Sequence, residues 1–303
     1  MSTVVTESEA PVAGPTRVLT RLCTFLAAGA AVAAAVGLFS GGGPGQHTVT
    51  SLRGDPVTLY GVGLFRHDTF LVGAGNRGQD AVVLFLAVPL LLVAIGLQRG
   101  GGTRARLLLT GGTAYFLYYY ASMVTATAHN RLFPLYVALF SASMFAFVTA
   151  VSGLDPRLVA REFPDRPSPG VLAGYLWMVA ALLTLVWLPP TLAPLFTGET
   201  PELVATYTTM PTWALDLGVI VPTAALAAVL LRRGRPLGQL LAAVVLLLNV
   251  TIGATLMGQS AAQLIAGVPL TTGEIVGMVL SFAALTVVAT GLLAAVFRGW
   301  AQT

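Results

Sequence analysis

The chain has 303 residues, 56% of them hydrophobic and 9% charged, with 16 basic against 12 acidic side chains and a formal charge of +4. Soluble domains carry about a quarter charged residues, and a chain this apolar does not stay solvated as a disordered coil, so both classes are excluded. All 16 basic residues are arginine and Cys23 is the single cysteine; a P-loop, a Schiff base, a disulfide framework and a cysteine-cluster metal site are excluded with them.

What remains is an all-α polytopic transmembrane bundle. Residues 1–16, rich in Ser, Thr, Glu and Pro, predict a short disordered cytoplasmic tail. A helix needs about 20 apolar residues to cross about 30 Å of hydrocarbon. Eight stretches meet that length, near 18–40, 80–98, 105–127, 132–153, 170–191, 212–231, 237–259 and 274–297. They form one bundle over 17–298, with 299–303 as a cytoplasmic C-terminus. The first span reads as an uncleaved helix, its apolar run being longer than that of a signal peptide. Small residues at Ala27–Ala31, and Gly170 with Gly174 on the fifth span, offer faces for close helix approach.

Orientation follows from the arginines. Arg17, Arg21, Arg99, Arg104, Arg106, Arg157, Arg161, Arg166, Arg232, Arg233, Arg235 and Arg298 fall on one side, 12 of 16; Arg53, Arg66, Arg77 and Arg131 fall on the other. Positive residues stay cytoplasmic, which places both termini inside and the protein in the plasma (inner) membrane. Trp187, Trp213 and Trp300 lie near span ends, where interfacial anchors are expected.

The long outer loop, 41–79, opens on Gly41-Gly42-Gly43-Pro44-Gly45. Two β-prone runs, His47–Leu52 and Val57–Tyr60, flank Arg53-Gly54-Asp55-Pro56 and predict a hairpin. That turn chemistry accounts for the Arg-Gly-Asp tripeptide without an adhesion role. Phe65, Phe70 and Leu71 around Arg66, His67 and Asp68 suggest a segment lying on the membrane surface.

Seven of the 12 acids, Asp55, Asp68, Asp80, Glu199, Glu202, Asp216 and Glu274, fall on this outer side, as do His47, His67 and His129. Asp80, Asp216 and Glu274 stand near the starts of their spans, where acids complement the helix dipole. A sharper reading joins Asp80, His129, Arg131, Asp216 and Glu274 in one outward-open polar site, with Arg131 as the ion-pair partner. Asp216 carries most of it: a carboxylate about 6 Å inside a span is costly unless it faces the bundle interior. Secondary candidates are Tyr115 and Tyr119, which share a helix face with Tyr118, together with Asn249, His67 and Asp68. Asn249 is expected to bond across helices, and its glycosylation-like context is void inside a bilayer.

Spans two and three resemble spans six and seven. Each pair carries an aspartate (Asp80, Asp216), a proline (Pro89, Pro222), an Arg-Gly turn (Arg99-Gly100, Arg233-Gly234) and resumed leucines (Leu107, Leu240). Two parallel four-helix repeats are the expectation this raises, although the prolines stand out of register with the aspartates.

No metalloprotease, hydrolase-elbow or Cys-x-x-Cys motif occurs. The stretch Gly61–Asp68, with Asp216-Leu217-Gly218 leading to Pro222, resembles a family of bacterial eight-helix integral membrane proteins without an assigned activity. The resemblance extends over about 57–260; it implies the eight-span layout and carries over no cofactor or catalytic residue. The functions in view are a transporter or small-molecule-binding protein with an outward-facing polar site, a membrane-embedded enzyme using His129 or His67 as base, and a scaffold subunit. The expected partners are the lipid bilayer and a small molecule; no cofactor, metal or nucleic acid is read from the sequence.

Overall fold

A computed structural model describes residues 17–163 and 167–300. The expected tail, Arg166 and the last three residues lie outside the described residues, as do the side chains of Glu274 and Trp300. The chain is a bundle of long helices: α1 (Arg17–Phe39), α2 (Phe70–Gln98), α3 (Thr103–Ala126), α4 (Phe133–Ser152), the short α5 (Pro156–Glu162), α6 (Pro169–Thr197), α7 (Pro211–Arg232), α8 (Pro236–Ala266) and α9 (Ile275–Arg298). Seven of them (α1, α2, α4, α6, α7, α8 and α9) are long and apolar enough to cross a membrane, which marks an integral membrane protein. Helix α3 stands apart from that set because its tyrosines and threonines dilute its leucines.

Between α1 and α2 a two-stranded antiparallel hairpin, β1 (His47–Thr50) and β2 (Pro56–Leu59), pairs His47 with Leu59 and Thr50 with Pro56. Its turn is the Arg53–Asp55 segment, where Ser51 Oγ accepts from the backbone N–H groups of Arg53 and Asp55 and Gly54 takes a positive φ of 92°. The hairpin marks one end of the bundle; the arginine-rich turns lie at the other.

Helix α8 is the hub. Half of its apolar window is buried, against 11% for α9, and it packs on α2, α3, α7 and α9. Glycines set these crossings. A Cβ at Gly78 of α2 would stand 2.1 Å from the Gly258 carbonyl oxygen of α8, and one at Gly111 of α3 would meet Leu247 at 2.5 Å. Gly253 faces Thr286 of α9, and Gly29 of α1 faces Leu139 of α4. Such approach is how helices associate in lipid, where apolar burial alone gives no drive. The small face expected on α6 does not pack this way, since Gly174 has nothing within 4 Å.

Helix α2 corrects the sequence reading. It begins at Phe70, with Thr69 Oγ1 accepting from Val72 N at 3.3 Å as its N-cap. The loop therefore ends ten residues before the expected boundary at 79. The polar run Gly73–Asp80 is helical because Gly75 and Gly78 lie against α8 and hydrogen bonds bridge the two helices: Gln79 Nε2 donates to Gln259 Oε1, and Gln263 Nε2 of α8 donates to the Leu71 carbonyl. The segment expected to lie on the membrane surface is instead tucked in, with Phe65 and Asp68 each 1% exposed.

Three helices contain a widened π-helical stretch: Val83–Ala87 in α2, Asp216–Ile220 in α7, and Ile275–Leu280 opening α9. In the first two, Val88-Pro89 and Val221-Pro222 follow at once. Proline cannot donate to the preceding turn and clashes with its carbonyl; the widened turn shifts the bonding, Val88 N reaching Val83 O and Val221 N reaching Asp216 O. Aligned on the prolines, the two stretches are in register while the aspartates are not, Asp80 standing three residues before its stretch and Asp216 opening its own.

The opposite end is held by arginine. Arg106, buried in α3, donates to the Ala150 and Thr149 carbonyls in the last turn of α4 at 3.2 and 3.0 Å. Gly153 leaves the room, as a Cβ there would overlap the guanidinium. Arg104 donates to the Phe297 carbonyl of α9 at 3.0 Å. Cations at helix C-termini satisfy orphan carbonyls and oppose the dipole.

Candidate functional site

The residues of interest surround a cavity of about 280 Å³. It lies between α2, α3, α6, α7, α8 and α9 towards the hairpin end, and small-molecule sites typically start near that volume. Its roof is the stretch between α6 and α7, contributing Leu203, Tyr207, Thr209 and Met210; its floor reaches Asn249 of α8 and Leu285 of α9.

Asp216 lines this space, 8% exposed. Its Oδ1 accepts from Tyr118 Oη at 2.8 Å and its Oδ2 from Trp187 Nε1 at 2.7 Å. Both lengths are those of well-formed hydrogen bonds. Trp187 stacks on Trp213 with ring centroids 6.0 Å apart and 27° between planes. The two tryptophans, expected as interfacial anchors, thus form one aromatic wall beside the acid. Nearby, Ser122 Oγ and Trp213 Nε1 are buried without a hydrogen-bond partner.

Helix α3 brings three tyrosines to the cavity: Tyr115, Tyr118 and Tyr119. Tyr115 and Tyr119 stack at 6.0 Å, as helical four-residue spacing dictates. Tyr115 Oη bonds with Thr255 Oγ1 at 2.8 Å, and Tyr119 Oη donates to Asp80 Oδ1 at 2.9 Å. Asp80 is outside the cavity wall. It lies ten residues into α2, about 15 Å along its axis, behind Tyr119 and against α1, where a Cβ on Gly37 would overlap its Oδ2. That Oδ2 has no hydrogen-bond partner. Asn249 Nδ2 donates to Tyr175 Oη at 3.0 Å, an interhelical bond to α6 at the cavity floor.

The roof is tied down by two residues of the hairpin segment. Arg53 at the hairpin turn donates to the Ala205 and Tyr207 carbonyls at 3.0 and 3.2 Å, and Ala205 holds a positive φ of 46°, a strained value for a residue with a Cβ. Asp68 Oδ1 accepts from Ala128 N at 2.7 Å and from Tyr207 Oη at 2.8 Å, joining the start of α2, the α3–α4 turn and the roof. Burial pushes the Asp68 carboxyl up to about 7 against the opposing pull of these two donors, and burial also raises the Tyr207 phenol above its usual range.

The other candidates are dispersed. His129 is exposed, its ring beside Phe133 at 4.9 Å, and Arg131 is exposed in the same turn. Neither lines the cavity, and the aspartates are met by phenols and an indole rather than by Arg131. His67 is exposed and accepts from Arg66 Nε at 3.0 Å. The backbone of Glu274 precedes the π-helical start of α9; its side chain lies outside the described residues. Among the described residues no three His, Cys, Asp or Glu side chains gather as a metal site. The participants that sequence reasoning passed over are Trp187, Trp213, Ser122 and Tyr207, whose residue types read equally well as anchors and loop filler.

No protein-family model matches the chain, and neither the curated proteins nor the solved structures give a match.

Proposed function

We propose that the protein is an eight-span plasma-membrane protein, α3 being the eighth span, with cytoplasmic termini and the hairpin end facing out. Its cavity receives a small molecule from the outside, as a transporter's binding site does. Helix α3 has 24 residues, about 36 Å, which is long enough to span, and its polar side chains turn inward to the cavity. The arginines gathered at the opposite end support the orientation. Two parallel halves, α1–α4 and α6–α9, fit the matching π-helical stretches of α2 and α7 and the corresponding contacts of α2 with α3 and α7 with α8, and of α3 with α4 and α8 with α9.

One observation carries the ligand-binding reading. The cavity wall is mostly apolar, yet it presents one carboxylate held by two neutral donors, and two of its residues, Ser122 and Trp213, bury a hydroxyl and an indole N–H that have no partner. Buried polar groups in folded proteins are nearly always paired, and a few convergent polar groups in an apolar hollow are the signature of a ligand site.

Thiol accessibility tests this. In a Cys23→Ala background, Thr212→Cys, half-buried in the cavity wall, should react in intact cells with a small membrane-impermeant methanethiosulfonate. Arg233→Cys, in the turn between α7 and α8, should react only after permeabilisation. Labelling of Arg233→Cys from outside, or an inert Thr212→Cys in folded protein, would refute the reading.

A further inference from the structure

The chemical class of the ligand is written in the charge balance of the cavity wall. Among the described residues that line it, Asp216 is the one carboxylic acid; no arginine and no histidine contributes, and the chain has no lysine. The two groups that hold Asp216, the Tyr118 hydroxyl and the Trp187 indole N–H, are neutral donors. They fix the carboxylate in place at 2.8 and 2.7 Å and leave its negative charge uncompensated. A carboxylate has room for about four acceptor contacts, so lone pairs remain for an incoming donor. In a low-dielectric hollow a single charge is costly until a partner of opposite sign arrives.

The remaining wall defines the rest of the ligand. Trp187 and Trp213 present stacked rings beside the acid, with Tyr118 and Phe282 also lining the space. Aromatic faces attract a cation within about 6 Å, most strongly when both are desolvated. Apolar side chains such as Val179, Leu183 and Ile220 complete the surface. The volume of about 280 Å³ limits the occupant to a compact molecule.

We infer that the cavity binds a compact organic cation, an ammonium group set against Asp216 and an apolar or aromatic body against Trp187 and Trp213. This rests on the ligand-binding reading above and adds the sign of the ligand's charge. Asp216 is the charge partner, and Tyr118 and Trp187 are positioning residues.

The test uses three probes of nearly one shape: 2-phenylethylammonium, neutral 2-phenylethanol and anionic phenylacetate. Each is titrated into the full-length protein in lipid nanodiscs, with intrinsic tryptophan fluorescence as the readout, Trp187 and Trp213 being the two of the four tryptophans that line the cavity. The cation should bind saturably, at least tenfold more tightly than the alcohol, and phenylacetate should bind more weakly still. Asp216→Asn should lose at least tenfold on the cation and far less on the alcohol, so that the preference for the cation disappears, while Asp216→Glu keeps it. Equal binding of alcohol and ammonium, or an Asp216→Asn protein that binds the cation as well as wild type, overturns the cation inference and leaves the cavity reading standing. Absence of saturable binding by the cation also overturns it. The accessibility of Thr212→Cys, which depends on no ligand, then decides separately whether the cavity opens outward.

Discussion

The crossing of α2 and α8 depends on glycine, and adding one methyl group shows how much. In Gly78→Ala the new Cβ would stand 2.1 Å from the Gly258 carbonyl oxygen and 2.6 Å from Ala262 Cβ, where ordinary contact begins at 3.4 Å. Two of these obstacles are helix backbone and a Cβ, neither of which can rotate away, so the helices must part by more than an ångström. Parting them weakens the two hydrogen bonds that bridge the same crossing, Gln79 to Gln259 and Gln263 to the Leu71 carbonyl. Overpacking of this kind costs about 1–3 kcal/mol, and a bridging hydrogen bond adds about 1 kcal/mol; the better helix propensity of alanine returns up to about 1 kcal/mol. A net loss of about 2 kcal/mol should lower Tm by roughly 3 °C in a chain of this length. The chain supplies its own reporter, because Cys23 is the single cysteine and is fully buried: a fluorogenic thiol dye reacts as the bundle opens. Gly174→Ala is the control, since nothing lies within 4 Å of that position, and it should match or exceed wild type. If Gly78→Ala melts at the wild-type temperature, or Gly174→Ala falls as far, then the glycine crossing does not hold α2 to α8.

Two further outcomes are expected. Asp68, pushed up to about 7 by burial, binds its proton more tightly in the folded protein than in the unfolded chain, whose value lies near about 4. Its stabilising contribution is therefore fully present below about pH 4 and is lost as pH rises through about 7; thermal scans from acid to neutral pH should show that slope flattened in Asp68→Asn. Arg106→Ala removes both bonds to the last turn of α4 and leaves the Thr149 and Ala150 carbonyls without them, so stability should fall by about 1–3 kcal/mol. Gly153→Ala, which crowds the same guanidinium, should fall in the same direction, and hydrogen exchange should locate both losses at the C-terminal turn of α4.

Composition and hydropathy made most long helices visible, since runs of leucine, valine and alanine leave no alternative to a helix in lipid. The hairpin was legible for a different reason: Arg53-Gly54-Asp55-Pro56 carries its turn chemistry in four residues. The start of α2 was hidden because Gly73–Asp80 is a loop by polarity. Only the facing glycine and glutamines of α8, some 180 residues away, make it a helix. That shift moved Asp80 from a span's edge to its depth and separated it from Asp216, although both had been paired by their position before a proline. The roles of Trp187 and Trp213 were hidden likewise, because an interfacial anchor and a stacked cavity wall look the same in one dimension. His129 and Arg131 shared an end of the bundle with the acids, but nearness along the membrane normal says nothing about which side of a helix a turn overhangs.

The exposed Arg53-Gly54-Asp55 tip is mechanically continuous with the chamber beneath it. Its guanidinium grips the very strand of backbone, Ala205 to Tyr207, that covers the cavity. Whatever seizes the tip, whether an antibody fragment or a neighbouring protein, pulls on a latch rather than on an ornament, because those two bonds carry the force to the cover of the hollow.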